Sequence, residues 1–258
     1  IAPNENLIAQ NIAEIPKELA AQVKKYSEAR GASLVEIHPT KNEIIINTRF
    51  GSTAQLHRVS QPLGARTQIT FFDEPVNGAS YEPLKGEYLV YTRDVGGNEF
   101  GQLYKLDLKT QQSTLLTDGG RSQNGGDRDI YYMDPNDPKT TKLVLQVKGG
   151  GWGISDISND GKKLLITEYI SANESHIWIL ETESGKLSEV TDRKSTGIIQ
   201  TGASFSDKND EIWFVTDKDN EFQRLATLNL STKKVIYYTS KIPWNVENYI
   251  LSEDKKTI

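Results

Sequence analysis

Two carboxylates stand side by side in Phe71-Phe72-Asp73-Glu74-Pro75. Adjacent carboxylates select a cation, and they equally cap turns, so Asp73 and Glu74 are candidate binding residues. A second polar cluster, Arg93-Asp94-Val95-Gly96-Gly97-Asn98-Glu99, has two glycines suited to the positive φ of a hairpin turn. Asn98 and Glu99 project from that turn, toward a neighbour or into side-chain-to-backbone bonds. Metal chemistry finds little support. His38, His57 and His176 are widely separated, each in or beside a strand-like run, and there is no cysteine. No cofactor is expected, and structural roles are expected of the three histidines. Gly149-Gly150-Gly151-Trp152-Gly153 resembles a phosphate loop only in glycine content. It lacks the Lys-Ser/Thr pair and the helix that would follow, and reads as a flexible connection. No Gly-x-Ser-x-Gly elbow occurs. Ser155 and Ser204 lack the second glycine and read as strand-entry serines, so no catalytic residue is assigned.

These residues sit within a recurring cadence. Polar turns at Pro39–Glu43, Pro83–Glu87, Ser158–Lys162, Ser206–Asp210 and Ser252–Lys256 lead into β-rich runs such as Ile44-Ile45-Ile46, Leu164-Leu165-Ile166 and Ile212-Trp213-Phe214-Val215. The turns recur after 44 residues from Pro39 to Pro83, 48 from Ser158 to Ser206 and 46 from Ser206 to Ser252. A period near 45 with four strands per unit predicts an all-β fold, a β-propeller of four-stranded blades. Parts of about six blades are expected here, out of roughly seven or eight in a complete domain. A single blade cannot bury both faces, so blades must stack.

The interval from Pro83 to Ser158 is 75 residues, where two periods would take roughly 90. The strand at Asp129–Asp134 falls in the third position of its blade, which predicts that a segment of about 15 residues is missing between Gly126 and Asp127; the alternative is a degenerate blade, which would leave a neighbour's face uncovered. The final turn at Ser252–Lys256 opens a further blade, so more polypeptide is expected beyond Ile258. Residues 1–32 read as an extension and 33–258 as the incomplete propeller. In the extension, Pro16–Tyr26 predicts a short helix ended at Gly31, with Leu19, Val23 and Tyr26 on an apolar face that packs on the propeller edge beside Leu7, Ile8 and Ile12. Trp152, Trp178, Trp213 and Trp244 are expected to pack between blades.

Composition narrows the partners. The 258 residues carry a net charge of −5 with no basic stripe, which argues against nucleic acid. No apolar stretch approaches the ~20 residues of a membrane span, so membrane insertion is not expected. Composition leaves the compartment open between cytoplasm and envelope.

Two segments carry a resemblance. "TRFGSTAQLHRVSQPLGARTQITFFDEPV" (48–76) and "YTRDVGGNEFGQLYKLDL" (91–108) resemble the N-terminal propeller of bacterial members of the prolyl oligopeptidase family of serine peptidases, in the acylaminoacyl-peptidase and dipeptidyl-peptidase-like branch. The resemblance implies a non-catalytic, substrate-gating propeller that admits short peptides and excludes folded proteins. It also implies, as partner, a C-terminal α/β-hydrolase domain bearing Ser, Asp and His, which these residues do not contain. In that branch, propeller carboxylates hold the substrate's α-amino group, a role open to Asp73 and Glu74. The competing reading is a stand-alone propeller binding proteins or ligands, similar to the periplasmic one of the Tol system.

Overall fold

The computed structural model describes residues 8–119, 127–252 and 254–258. The chain divides into two compact units, Ile1–Ser122 and Gln123–Ile258. Unit 1 holds a helix, α1 (Lys17–Ser27), and two four-stranded antiparallel sheets. The first is built from β1 (Ala32–Ile37), β2 (Ile44–Thr48), β3 (Gln55–Val59) and β4 (Thr67–Gln68). The second comprises β5 (Ala79–Tyr81), β6 (Tyr88–Arg93), β7 (Gln102–Asp107) and β8 (Ser113–Leu115). Unit 2 begins with a two-stranded hairpin, β9 (Ile130–Asp134) and β10 (Asp137–Leu145). Two four-stranded sheets follow, β11 (Trp152–Ile157) to β14 (Leu187–Glu189) through β12 (Lys163–Ser171) and β13 (Glu174–Glu181), then β15 (Gln200–Phe205), β16 (Glu211–Thr216), β17 (Arg224–Asn229) and β18 (Val235–Tyr237). In all four large sheets strand order follows chain order, as in a propeller blade. The suspected missing segment between Gly126 and Asp127 adjoins residues 120–126, which lie outside the described residues.

The cadence of the sequence has a common hydrogen-bond basis. At each turn from first to second strand, one backbone N–H reaches a carbonyl five or six residues on: His38 to Glu43, Glu82 to Tyr88, Ser158 to Lys163, Ser206 to Glu211 and Ser252 to Thr257, all at 2.8–2.9 Å. The same residue's side chain then accepts a second amide. Ser158 Oγ takes the Lys163 N–H at 2.9 Å, and Ser206 and Ser252 act alike. His38 Nδ1 takes the amides of Thr40 and Lys41, each at 3.1 Å, and the Glu82 carboxylate takes those of Leu84, Lys85 and Gly86. His38 therefore has the structural role its isolation suggests. His57 and His176 are also buried within their blades.

A second repeat closes each blade's outer edge. A threonine hydroxyl accepts the backbone N–H fourteen residues earlier: Leu56 to Thr70, Leu103 to Thr117, Ile177 to Thr191 and Leu225 to Thr239, at 2.8–3.3 Å. The residue before each threonine donates its own N–H to the carbonyl of the same partner. The fourth strand is thus pinned by one backbone and one side-chain bond, although it spans only two or three residues.

Packing explains why central strands are apolar without alternation. Leu165 and Ile177 pack with Phe205, Ile212, Phe214 and Ala226 of the next blade, whereas Leu164, Ile166 and Leu180 pack with Ile130 and Val144 of the hairpin. Because β12 is covered on both faces, Leu164, Leu165 and Ile166 are all buried. In unit 1 the corresponding core joins Ile45, Leu56, Ile69 and Val76 to Leu89, Tyr91 and Leu106.

Three expectations are corrected. The helix ends at Ser27 and buries no residue: Leu19 and Val23 are half exposed and Tyr26 is 84% exposed, as are Ile8 and Ile12 at 84% and 73%. An amphipathic pattern specifies an apolar face but not what covers it. Of the tryptophans, Trp152 and Trp178, 5.9 Å apart, do pack on the cluster that joins the β9–β10 hairpin to the next blade, whereas Trp213 packs within its blade on Tyr238 at 5.0 Å and Trp244 is exposed. The glycine run is pinned rather than flexible: Tyr169 N–H donates to Gly151 O at 2.7 Å, and a Cβ at Gly151 would lie 2.1 Å from Tyr169 O.

Thr191→Val should destabilise unit 2 by about 1–3 kcal/mol by orphaning the buried Ile177 amide, whereas Thr191→Ser should retain most of the stability. Urea unfolding followed by tryptophan fluorescence measures this, since all four tryptophans lie in unit 2. Equal stability of the valine variant and the native chain would refute the clasp.

Candidate functional site

The two polar segments singled out by sequence meet in unit 1. Gln55, nearly fully buried at the start of β3, donates to the carbonyls of Phe72 and Glu74 at 2.9 Å each and accepts the Phe72 amide at 3.3 Å. Asn47 Nδ2 donates to Val76 O at 2.6 Å, fixing the far end of the same connection. Thus held, the Glu74 carboxylate receives Arg93 NH1 and the Gly96 amide, both at 2.8 Å. The Arg93 guanidinium lies over the rings of Phe72 and Tyr104, 4.2 and 4.8 Å from their centroids.

Glu74 is therefore a clamp between the connection and the hairpin that carries Asn98 and Glu99. The Gly96 amide, its own backbone amide and the Arg93 guanidinium hold its carboxyl below the ordinary carboxylate value. Asp73 beside it is exposed. Asn98 Oδ1 accepts the Phe100 amide at 3.0 Å, and Glu99, in the left-handed region at φ 63°, donates its N–H to Asp94 at 3.0 Å. Both are exposed, and Gly96 and Gly97 have the positive φ expected of them. Sequence reasoning missed Arg93 and Gln55. A lone arginine ending β6 and a glutamine opening an apolar strand were the available signals.

Unit 2 carries its own partly buried charge network. Glu168 accepts Trp178 Nε1 at 3.0 Å and Arg193 Nε at 2.9 Å, and Glu174 meets His176 Nε2 at 3.2 Å and the Gly197 amide at 3.0 Å. It ties β12 and β13 to the connection that follows β14. Among the described residues no group of three or more His, Cys, Asp or Glu side chains is placed to hold a metal.

Unit 2 also contains an open cavity of about 600 Å3. Its walls are the first strands of two adjacent blades, through Trp152–Ser155 of β11 and Thr201–Ser204 of β15, with Tyr249. Ser155 and Ser204, the strand-entry serines, both face it. Ser155 Oγ is hydrogen-bonded to Thr167 Oγ1 at 2.7 Å. Tyr249 donates its hydroxyl to the carbonyls of Gly202 and, at 3.0 Å, Trp213, and burial pushes its ionisation up to about 12. Arg128 is the one charged side chain among the described residues lining the cavity.

No family model matches the chain, and no curated protein sequence does. Solved structures do. A prolyl endopeptidase superposes with a TM-score of 0.63 at 13% identity, over 86% of this chain and 38% of its own. An oligogalacturonate lyase solved in complex with manganese superposes at 0.58 and 10% identity, over 80% of this chain and 66% of its own. A puromycin hydrolase gives 0.56 and 12% identity, over 79% of this chain and 38% of its own. The chain spans under two thirds of each. At these identities the likeness shows the fold, a β-propeller, which the repeated four-stranded blades express.

Glu74→Ala should speed hydrogen exchange of the Gly96 amide at neutral pH, read by NMR or mass spectrometry, and leave the Glu82-capped turn unchanged. Because Glu74 titrates below its ordinary value of 4.5, its contribution is complete above that pH and is lost as pH falls through the lowered value. The native Gly96 amide should lose protection in that acid window, and the variant should show no such step. Unaltered Gly96 exchange in Glu74→Ala would show that the clamp does not order the hairpin.

Proposed function

We propose that this chain is the substrate-gating propeller of a serine peptidase of the prolyl oligopeptidase family that cleaves short peptides. The observation that supports this most is the superposition of 86% of the chain on only 38% of a prolyl endopeptidase. The segments 48–76 and 91–108, which resemble that family, add to it. In this reading the propeller, with roughly seven or eight blades when complete, is joined to an α/β-hydrolase domain of the same polypeptide. That domain supplies the Ser-His-Asp triad and performs acyl transfer.

The chain's own contribution is selection. Blades pinned at the outer edge and at the loop joining their first two strands form walls that a folded protein does not part, while an extended peptide passes. Of the four candidate site residues, Asp73 and Glu99 present exposed carboxylates for a substrate ammonium. Glu74, committed to Arg93 and Gly96, and Asn98, committed to the Phe100 amide, position the segments that bear them.

The reading is tested on the native protein that carries this sequence. Its intact mass should lie well above the 28.9 kDa of these residues, and a fluorophosphonate probe should label one serine outside them. It should hydrolyse short peptides and spare a folded protein of the same sequence content. Asp73→Asn should lower kcat/KM for peptides with a free amino terminus about tenfold relative to N-acylated ones, the scale of one charge-assisted hydrogen bond. A protein near 29 kDa that takes up no probe would overturn the assignment in favour of a stand-alone binding propeller.

A further inference from the structure

We infer that the cavity of unit 2 is a binding site for an extended peptide bearing a free carboxylate, with Arg128 as the anchor. The inference rests on the reading of this chain as a propeller that admits peptides, and assigns a second contact point far in sequence from Asp73 and Glu99.

Three properties of the cavity point to this ligand. First, β11 and β15 are each the first strand of their sheets, paired with a neighbouring strand on one side only. Where they line the cavity they carry Gly153 and Gly202; the Gly202 carbonyl is taken by Tyr249, but at Gly153 the main chain is reachable without a side chain in the way. No heavy atom lies within 4 Å of a Cβ built on Gly153, so the wall there opens onto space. An unpaired strand edge takes an extended peptide by main-chain hydrogen bonds, independent of its sequence. Second, the other polar side chains of the lining are neutral, among them the hydroxyls of Ser155, Thr167, Thr201 and Ser204 and the carboxamide of Asn248, groups that serve a peptide backbone as donors or acceptors.

Third, the charge is unbalanced. The protein has a net charge of −5, yet the cavity contains no carboxylate and one cation, Arg128. Among the described residues Arg128 has no hydrogen-bond or ion-pair partner, although Asp127 and Asp129 flank it. Asp127 is occupied by the Gly149 amide and by Lys148, and Asp129 by the Val147 amide. An exposed guanidinium with its fork unfilled is a bidentate carboxylate receptor. A volume of about 600 Å3 lies within the range of small-ligand sites, which suits a short peptide and excludes a folded chain.

The experiment is isothermal titration calorimetry of the whole chain with N-acetyl-tetraalanine, as the free acid and as the C-terminal amide. The free acid should bind about tenfold or more tightly than the amide, the scale of a charge-assisted hydrogen bond. Arg128→Gln should abolish that difference by lowering the acid's affinity to that of the amide, and Arg128→Lys should restore part of it. Arg128 is exposed and unpartnered, so the glutamine variant should fold; an unchanged urea midpoint confirms it. Equal affinity for acid and amide, or an acid preference that survives Arg128→Gln, overturns the anchor. Absence of any binding overturns the site. Neither result touches the peptidase assignment, which stands or falls on serine labelling of the native protein.

Discussion

The architecture depends on closing short strands. A fourth strand of two or three residues has too few ladder bonds to hold itself against a sheet, and in every four-stranded blade the same clasp compensates. A threonine hydroxyl and the preceding backbone amide engage both polar groups of one residue of the third strand. With the outer strand fixed, the third strand is a central strand, its amides are satisfied, and the inner faces are free to be wholly apolar. The cores of both units are built on residues within or next to this clasp: Leu56, Ile69, Ile177, Val190 and Leu225 are all buried.

The inner turns complement the outer clasps. Between them each blade is fastened at the outer edge and at the loop joining its first two strands, which leaves the hairpin between second and third strands as the place where local chemistry varies. In one blade of unit 1 that hairpin is tied down by Glu74 and Arg93. In the first complete blade of unit 2 the corresponding end is occupied by Glu168, Glu174 and Arg193. Both solutions pair an arginine with a glutamate, but the Arg93–Glu74 pair is the more shielded: its side chains are 14% and 18% exposed, whereas Arg193 is 39% exposed above Glu168.

Much of this was legible in the sequence. Strand identity, strand order and the near-45 period follow from β-branched runs separated by Gly/Asn/Asp turns, and the glycine pair at Gly96-Gly97 marks its hairpin without ambiguity. The interaction of Glu74 with Arg93 was not legible, because it joins residues nineteen apart through a connection whose path is set by Gln55. The cavity was not legible either: its glycines and serines look like ordinary strand residues until two first strands are placed side by side. Helix α1 failed in a different way. Its periodicity named the apolar face correctly, but periodicity contains no information about a partner surface, and Leu19, Val23 and Tyr26 remain exposed.

The turn caps have a bearing on how such a fold diverges. Histidine, glutamate and serine occupy equivalent positions at His38, Glu82, Ser158, Ser206 and Ser252, and each offers a lone pair to an amide a few residues downstream. What the turn demands is an acceptor atom at one point in space, not a residue type. Duplicated blades can therefore drift apart in sequence until little common text remains, while the geometry that once made them copies persists. A lineage built this way keeps its scaffold through long divergence and retains the freedom to give each blade a separate task.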